Sequence, residues 1–189
     1  TVWVSPFAIL IALPFGLSVS IYMSEIAGSK VRKWLKPVIE LLSGIPSVVY
    51  GFFGLIVIVP FIQKVFDLPV GESGLAGSIV LAIMALPTII TVTEDAMRNC
   101  PRAMREASLA LGASQWQTTY KVVIPYSISG ITSGVVLGIG RAIGETMAVL
   151  MVTGNAAVIP TTILEPLRTI PATIAAELGE APAGGPHYQ

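Results

Sequence analysis

The sequence predicts an all-α polytopic membrane protein, and three observations carry that prediction. Hydrophobic residues fill 53% of the 189 positions, only 12% are charged, and the mean hydropathy is +0.79, far outside a soluble globular composition. The apolar residues gather into about four runs, each long enough to cross a ~30 Å hydrocarbon core. The remaining cations are concentrated in two alternate connectors, which is how charge is distributed in a chain that crosses a membrane repeatedly.

The first span is expected over 2–23, where Pro6 and Pro14 are tolerable in a packed membrane helix. A connector over 25–36 carries Lys30, Arg32, Lys33 and Lys36, with Gly28 and Ser29 as breakers. From Pro37, a natural first helical residue, a short amphipathic lead-in runs to a break at Gly44-Ile45-Pro46-Ser47, and the second span follows over 46–61. A short connector with Lys64, Asp67 and Glu72 leads to the third span, 75–93, which Pro87 is expected to kink. After the second basic connector, at 98–126, the fourth span is expected as one helix over 127–153. Residues 1–155 thus form a transmembrane core. Residues 156–189 read as an external Pro-rich loop with a short helix at 171–178 closed by Gly179, because Pro160, Pro166, Pro171, Pro182 and Pro186 interrupt the segment too often for a span.

Counting spans puts the connectors 25–36 and 98–126 on one side. The other side carries Asp67, Glu72, Glu165, Glu177 and Glu180, so the positive-inside rule assigns the basic connectors to the cytoplasm. Lys and Arg equal Asp and Glu at 11 each, which gives no bulk charge for nucleic acid. One Cys and one His, Cys100 and His187, exclude an internal disulfide and a Cys/His metal site, and no cofactor is expected. No Gly-rich phosphate loop is present, so ATP chemistry would need another subunit. Thr1 is not an initiator Met and no charged n-region precedes the first apolar run, so a piece of a longer protein is expected.

Two stretches stand out. In Glu106 to Pro125, EASLALGASQWQTTYKVVIP, a short helix ends at Gly112 and a second one places Trp116, Tyr120 and Val123 at spacings of four and three, an amphipathic face on a connector. In the fourth span Arg141 and Glu145 lie near the middle, each costing ~2.5–3.5 kcal/mol on insertion scales. At 100° per residue Ser127, Gly130, Gly134, Gly138, Arg141, Glu145, Ala148 and Asn155 share one small, polar face, while Ile139, Ile143 and Leu150 lie opposite. Glycines four apart permit close approach of another helix. Arg141 and Glu145 read either as an ion pair that locks the bundle or as an anion contact, with Arg141 offering a planar fork and Glu145 competing for it. Glu40 reads as an interfacial salt-bridge partner, Glu94 and Asp95 as partners of the Arg residues of the second basic connector, and Pro46 and Ser47 as a helix break.

The stretch 106–125 resembles the EAA loop of ABC-importer permeases: Glu-Ala-Ala, three residues, Gly, nine residues, Ile, one residue, Leu-Pro. Glu106, Ala107, Gly112 and Pro125 match in place, with Ser108 for the third Ala, Val122 for Ile and Ile124 for Leu. IELLSGIPSVVYG (Ile39 to Gly51) and GRAIGETMAVLMVTGN (Gly140 to Asn155) resemble phosphate-importer permeases. The Glu-Thr-Met-Ala-Val run looks like the C-type (PstC type) subunit more than the A-type, where Pro commonly follows Glu-Thr-Ala. The resemblance implies a type I ABC importer (MetI-like) permease core in a prokaryotic plasma membrane, non-catalytic itself and importing inorganic phosphate. It implies that the loop at 106–125 docks on ABC ATPase subunits. The further partners implied are a paralogous A-type permease, an external phosphate-binding protein and membrane lipid. It also implies transport roles for Arg141 and Glu145, and six spans, of which four are counted here. Another oxyanion, such as sulfate or molybdate, is the nearest alternative cargo. A secondary anion transporter or channel is the alternative mechanism, and it would have no use for an ATPase-docking loop.

Overall fold

The computed structural model describes residues 1–177 and contains only helices and loops among them, apart from one isolated parallel bridge between Gly154 and Leu167. Gly179, Glu180 and His187 lie outside the described residues, as does the expected glycine stop of the last helix. Three helices are long and apolar enough to cross a membrane: α1 (Val4–Ile26), α3 (Ser47–Phe66) and α4 (Gly74–Arg98). Between α1 and α3 lies the amphipathic α2 (Ser29–Gly44). The second basic connector folds into α5 (Arg102–Ala110) and α6 (Gln115–Tyr126), and α6 meets α7 (Ile128–Gly144) at a 71° bend that counts as a fourth span if the pair is taken as one. Two short helices, α8 (Met147–Val152) and α9 (Ile170–Glu177), complete the described chain.

Two elements differ from the sequence expectation for identifiable reasons. Pro37 does not begin α2 but sits inside it. The ring costs α2 one internal hydrogen bond, the one to the Lys33 carbonyl, at a position where both residues are exposed. The helix expected without interruption over 127–153 leaves helical structure at Glu145 and Thr146. Gly140 and Gly144 weaken it locally by about 1 kcal/mol each relative to alanine, and the Glu145 carboxylate accepts the Ala148 N–H at 3.3 Å, capping α8 in place of a continuing ladder. Pro87, by contrast, is carried inside an unbroken α4.

The chain divides into two compact units. The first comprises 1–11, 45–84 and 140–189, and the second 12–44 and 85–139. In the first unit, Tyr50, Ile58, Ile62, Ala76, Val80, Met84, Ala148 and Val152 form one apolar cluster, and Val4, Ala8, Leu81, Ala142, Val149 and Leu167 another. Gly54 opens a π turn in α3, where a Cβ would meet Val80 at 2.7 Å and Val152 at 2.9 Å. The N-terminus of α4 is capped by Ser73, whose hydroxyl accepts the Ala76 N–H at 3.2 Å. The loop after α8 supplies carbonyls to the same end: Glu165 O accepts the Gly74 N–H and Ile163 O the Leu75 N–H.

In the second unit α7 packs on α4 through small residues. A Cβ at Gly130 would meet that of Ala96 at 2.3 Å, one at Gly134 the Thr93 hydroxyl at 2.9 Å, and one at Gly138 the Ile89 side chain at 2.6 Å. The four-residue glycine spacing is therefore a helix-contact stripe. On the α1 side, the Ser20 hydroxyl donates to Gly16 O at 2.6 Å and to Ile90 O at 3.3 Å. Met97, Cys100, Val123 and Ile131 close one buried cluster, and Met23, Ile39 and Ile90 a second.

Candidate functional site

The basic connector is a helical hairpin with a defined turn. Gly112 has φ +86°, its N–H donates to Leu109 O at 2.9 Å, and the Ala113 N–H donates to Ser108 O at 3.2 Å. This is the Schellman arrangement, and glycine is there because a Cβ would be strained at that φ. Two residues after Gly112, Ser114 begins a capping box with Gln117: the Gln117 N–H donates to Ser114 Oγ at 3.2 Å and the Ser114 N–H to Gln117 Oε1 at 2.9 Å. The Ser108 and Thr118 hydroxyls, 2.9 Å apart, tie the arms together.

Glu106 and Ala107 are exposed on α5, Pro125 is exposed near the end of α6, and Ile124 packs against the cluster around Val123. Leu111 is 89% exposed, Tyr120 66% and Trp116 64%, so the hairpin presents a knob of large apolar side chains. Val123 does not join it. A π turn over Thr119–Val123 adds a residue to the helical period, which keeps Trp116 and Tyr120 outside and turns Val123 into the core. Beside the knob, Glu25, Ile26, Arg105, Leu109, Trp116 and Thr119 help line a groove of about 390 Å³.

The hairpin is anchored by charge. Arg105 Nη1 donates to both Glu25 carboxylate oxygens, at 2.7 and 2.6 Å, while Nη2 donates to Met97 O at 2.8 Å. The end of α1, the end of α4 and α5 are thereby joined through one side chain. This pair was not foreseen, although Glu25 is the only acidic residue in the basic connector 25–36, and that was the available signal.

Glu94, 1% exposed, lies 2.9 Å from Lys36 Nζ and 3.6 Å from both Arg32 and Arg98. Lys36 also pairs with Asp95 at 2.5 Å. The expectation that Glu94 and Asp95 serve the second basic connector holds for Arg98 and fails for Asp95, whose partner comes from α2. Burial pulls the Lys36 pKa down, but the hydrogen bonds to Asp95 and Glu94 and the charges of those carboxylates outweigh it and hold it above its ordinary value. Glu40 is exposed on α2, and Pro46 is the N-cap of α3 with Ser47 its first residue.

In the first unit Arg141 is half-buried near the end of α7, within electrostatic range of the buried Tyr50. Glu145 is half-buried in the break beyond. The shared-face argument therefore extends to Arg141 and stops before Glu145, whose carboxylate is directed to the α8 backbone. Backbone that leaves helical structure within an apolar segment requires protein or a water-filled cavity around it.

Comparison with known proteins decides the family. The model of the binding-protein-dependent transport system inner membrane component family matches residues 8–176. The chain belongs to that family, and is a multi-pass inner membrane component. It is 48% identical over 175 residues to the probable ABC transporter permease protein YqgH of Bacillus subtilis, covering 93% of this chain and 57% of that protein. It is 40% identical over 200 residues to the phosphate transport system permease protein PstC of Mesorhizobium japonicum, covering 96% and 61%. With PstC 1 of Mycobacterium tuberculosis identity is 38% over 201 residues, covering 96% and 60%. The chain thus spans about three fifths of the length of these relatives. Among solved structures, a chain of the MetNI methionine ABC transporter matches with a TM-score of 0.63 at 21% identity, covering 97% of this chain and 77% of that one. At that identity the likeness carries the type I importer permease fold.

Proposed function

We propose that this chain is the core of a permease subunit that imports inorganic phosphate with energy from separate ATPase subunits. The observation that carries the coupling part is the hairpin 102–126: a turn braced by a Schellman motif, a capping box and the Ser108–Thr118 contact, exposing Leu111, Trp116 and Tyr120 where the EAA-like residues stand. An apolar knob on a rigid hairpin suits insertion into a cleft of a partner, and the Arg105–Glu25 pair suits transmission of the resulting push to α1. Phosphate as cargo rests on the similarity to proteins named phosphate transport permeases. Arg141 then meets the anion with its bidentate fork, and Glu145, in the non-helical turn beside it, limits how long the anion is held. The B. subtilis relative's name specifies no cargo, which keeps a second oxyanion such as sulfate as the other reading.

The test is uptake of radiolabelled phosphate and sulfate by cells carrying the full-length protein at matched membrane levels. Arg141→Ala and Arg141→Lys should both lower phosphate uptake, and the double change Arg141→Ala with Glu145→Ala should restore stability and leave uptake lost. A double variant that transports like the parent sinks the anion contact. Selective loss of sulfate uptake moves the assignment to the other oxyanion.

A further inference from the structure

A charged cavity lies in the second unit, apart from Arg141. It has a volume of about 210 Å³ and is lined by Ser24, Arg32, Arg98, Cys100, Arg102 and Arg105. This is about seven times the ~30 Å³ share of one water in the liquid, room for a tetrahedral oxyanion with part of its hydration. Its four guanidiniums come from α2, the end of α4 and α5, so residues up to 73 positions apart in sequence converge on one small space.

The charge is not balanced from within. Glu94 takes Arg32, Arg98 and Lys36, Asp95 takes Lys36, and Glu25 takes Arg105, so five cations including Arg102 face three carboxylates and two positive charges remain in excess. The four arginines divide by function. Arg32 donates to Met23 O and Ser24 O, and Arg105 to Glu25 and Met97 O, which holds both as fixed walls. Arg98 is exposed and 3.6 Å from Glu94, and Arg102 is exposed with no side-chain partner among the described residues. Two fixed forks and two with unspent donors, in a site two charges short of neutral, match a group of charge near −2 with several acceptor oxygens. A carboxylate would leave one charge and most donors unanswered.

We infer that this cavity is a binding site for a phosphate monoester or free phosphate, presented either as soluble phosphate or as the phosphomonoester headgroup of a lipid such as phosphatidic acid. The inference is independent of the cargo proposed above. An occupant would bridge α2, α4 and α5, and so stiffen the base of the coupling hairpin.

The experiment uses the full-length permease with its co-purifying subunits in nanodiscs, in two arms. The first titrates inorganic phosphate calorimetrically in phosphatidylcholine discs, with Arg141→Ala as background so that the proposed pathway contributes nothing. The second adds phosphatidic acid, a phosphomonoester lipid, omits phosphate, and counts retained lipid by native mass spectrometry. Arg98→Gln with Arg102→Gln should weaken binding by about tenfold or more, as expected for losing charge-assisted hydrogen bonds. Lys33→Gln, which loses one charge on the exposed face of α2 as Arg102→Gln alone does, should change it by less than about twofold. Arg102→Gln alone, exposed and unpartnered, gives the decision if the double variant does not fold. Binding in the first arm only assigns a soluble anion, in the second only a headgroup, and in both the shared chemistry. No binding in either arm, or equal losses in the arginine and Lys33 variants, overturns the site.

Discussion

The two compact units are held together by different physics. The first is joined by shape: apolar clusters around Val80 and Val149, with Gly51 and Gly54 admitting Ala148 and Val152 to distances no side chain would allow. The second has apolar clusters too, but its end at the two basic connectors is joined by charge, with Glu94 gathering cations from α2 and α4 and Glu25 holding α5. Packing in a dense interior tolerates little change in volume, whereas ion pairs near water respond to charge, salt and pH. Changes of volume should therefore damage the first unit most, and changes of charge the second.

The largest effect should come from the hub of the charged unit. Glu94→Leu leaves Arg32, Lys36 and Arg98 without their shared partner and should cost about 3 kcal/mol, the low end for breaking a buried pair because the cations are partly exposed. Thermal unfolding of the purified protein in detergent measures it, and a loss under about 1 kcal/mol would place the hub at the surface-pair level. In the packed unit, Gly51→Val forces a branched side chain against the Ala148 backbone, 2.9 Å from where the Cβ would sit, and should cost about 2 kcal/mol. Gly44→Ala, with nothing within 4 Å, should be neutral or slightly stabilising in the same assay.

A charge swap sharpens the contrast. Arg105→Glu should depress uptake, and adding Glu25→Arg should recover part of it, with a coupling of about 1 kcal/mol in a double-mutant cycle of stability. No recovery would mean that the carbonyl bond to Met97, rather than the ion pair, holds the hairpin. Raising salt from about 0.15 to 1 M shortens the screening length from ~8 to ~3 Å. Amide exchange in α2 should then quicken while that in α3 stays constant.

The smallest effect is in the loop after α8. The Thr161 hydroxyl and N–H both donate to Glu165 and hold its carboxyl below the ordinary 4.5. A lowered carboxylate pKa contributes stability above that ordinary value and loses it as pH falls through the shifted one. Protection of the Thr161 amide should therefore be level above pH 4.5 and decline only below it. A decline that begins at neutral pH would assign the effect to another group.

The sequence by itself determined the membrane class, the three long apolar helices, the glycine stripe of α7, the turn at Gly112 and the location of the basic connectors. Each depends on neighbours within a few positions, where period, propensity and hydropathy act directly. Only the tertiary structure decided that Asp95 serves Lys36, that Arg105 serves Glu25 across 80 positions, and that four arginines share a cavity. Ion pairing depends on where chain ends meet in space and leaves no periodic trace. The interruption at Glu145 and the turning inward of Val123 belong to the same category. A side-chain cap and a single π turn each shift helical phase, and the energies involved, about 1 kcal/mol, are too small for a residue pattern to betray before packing selects them.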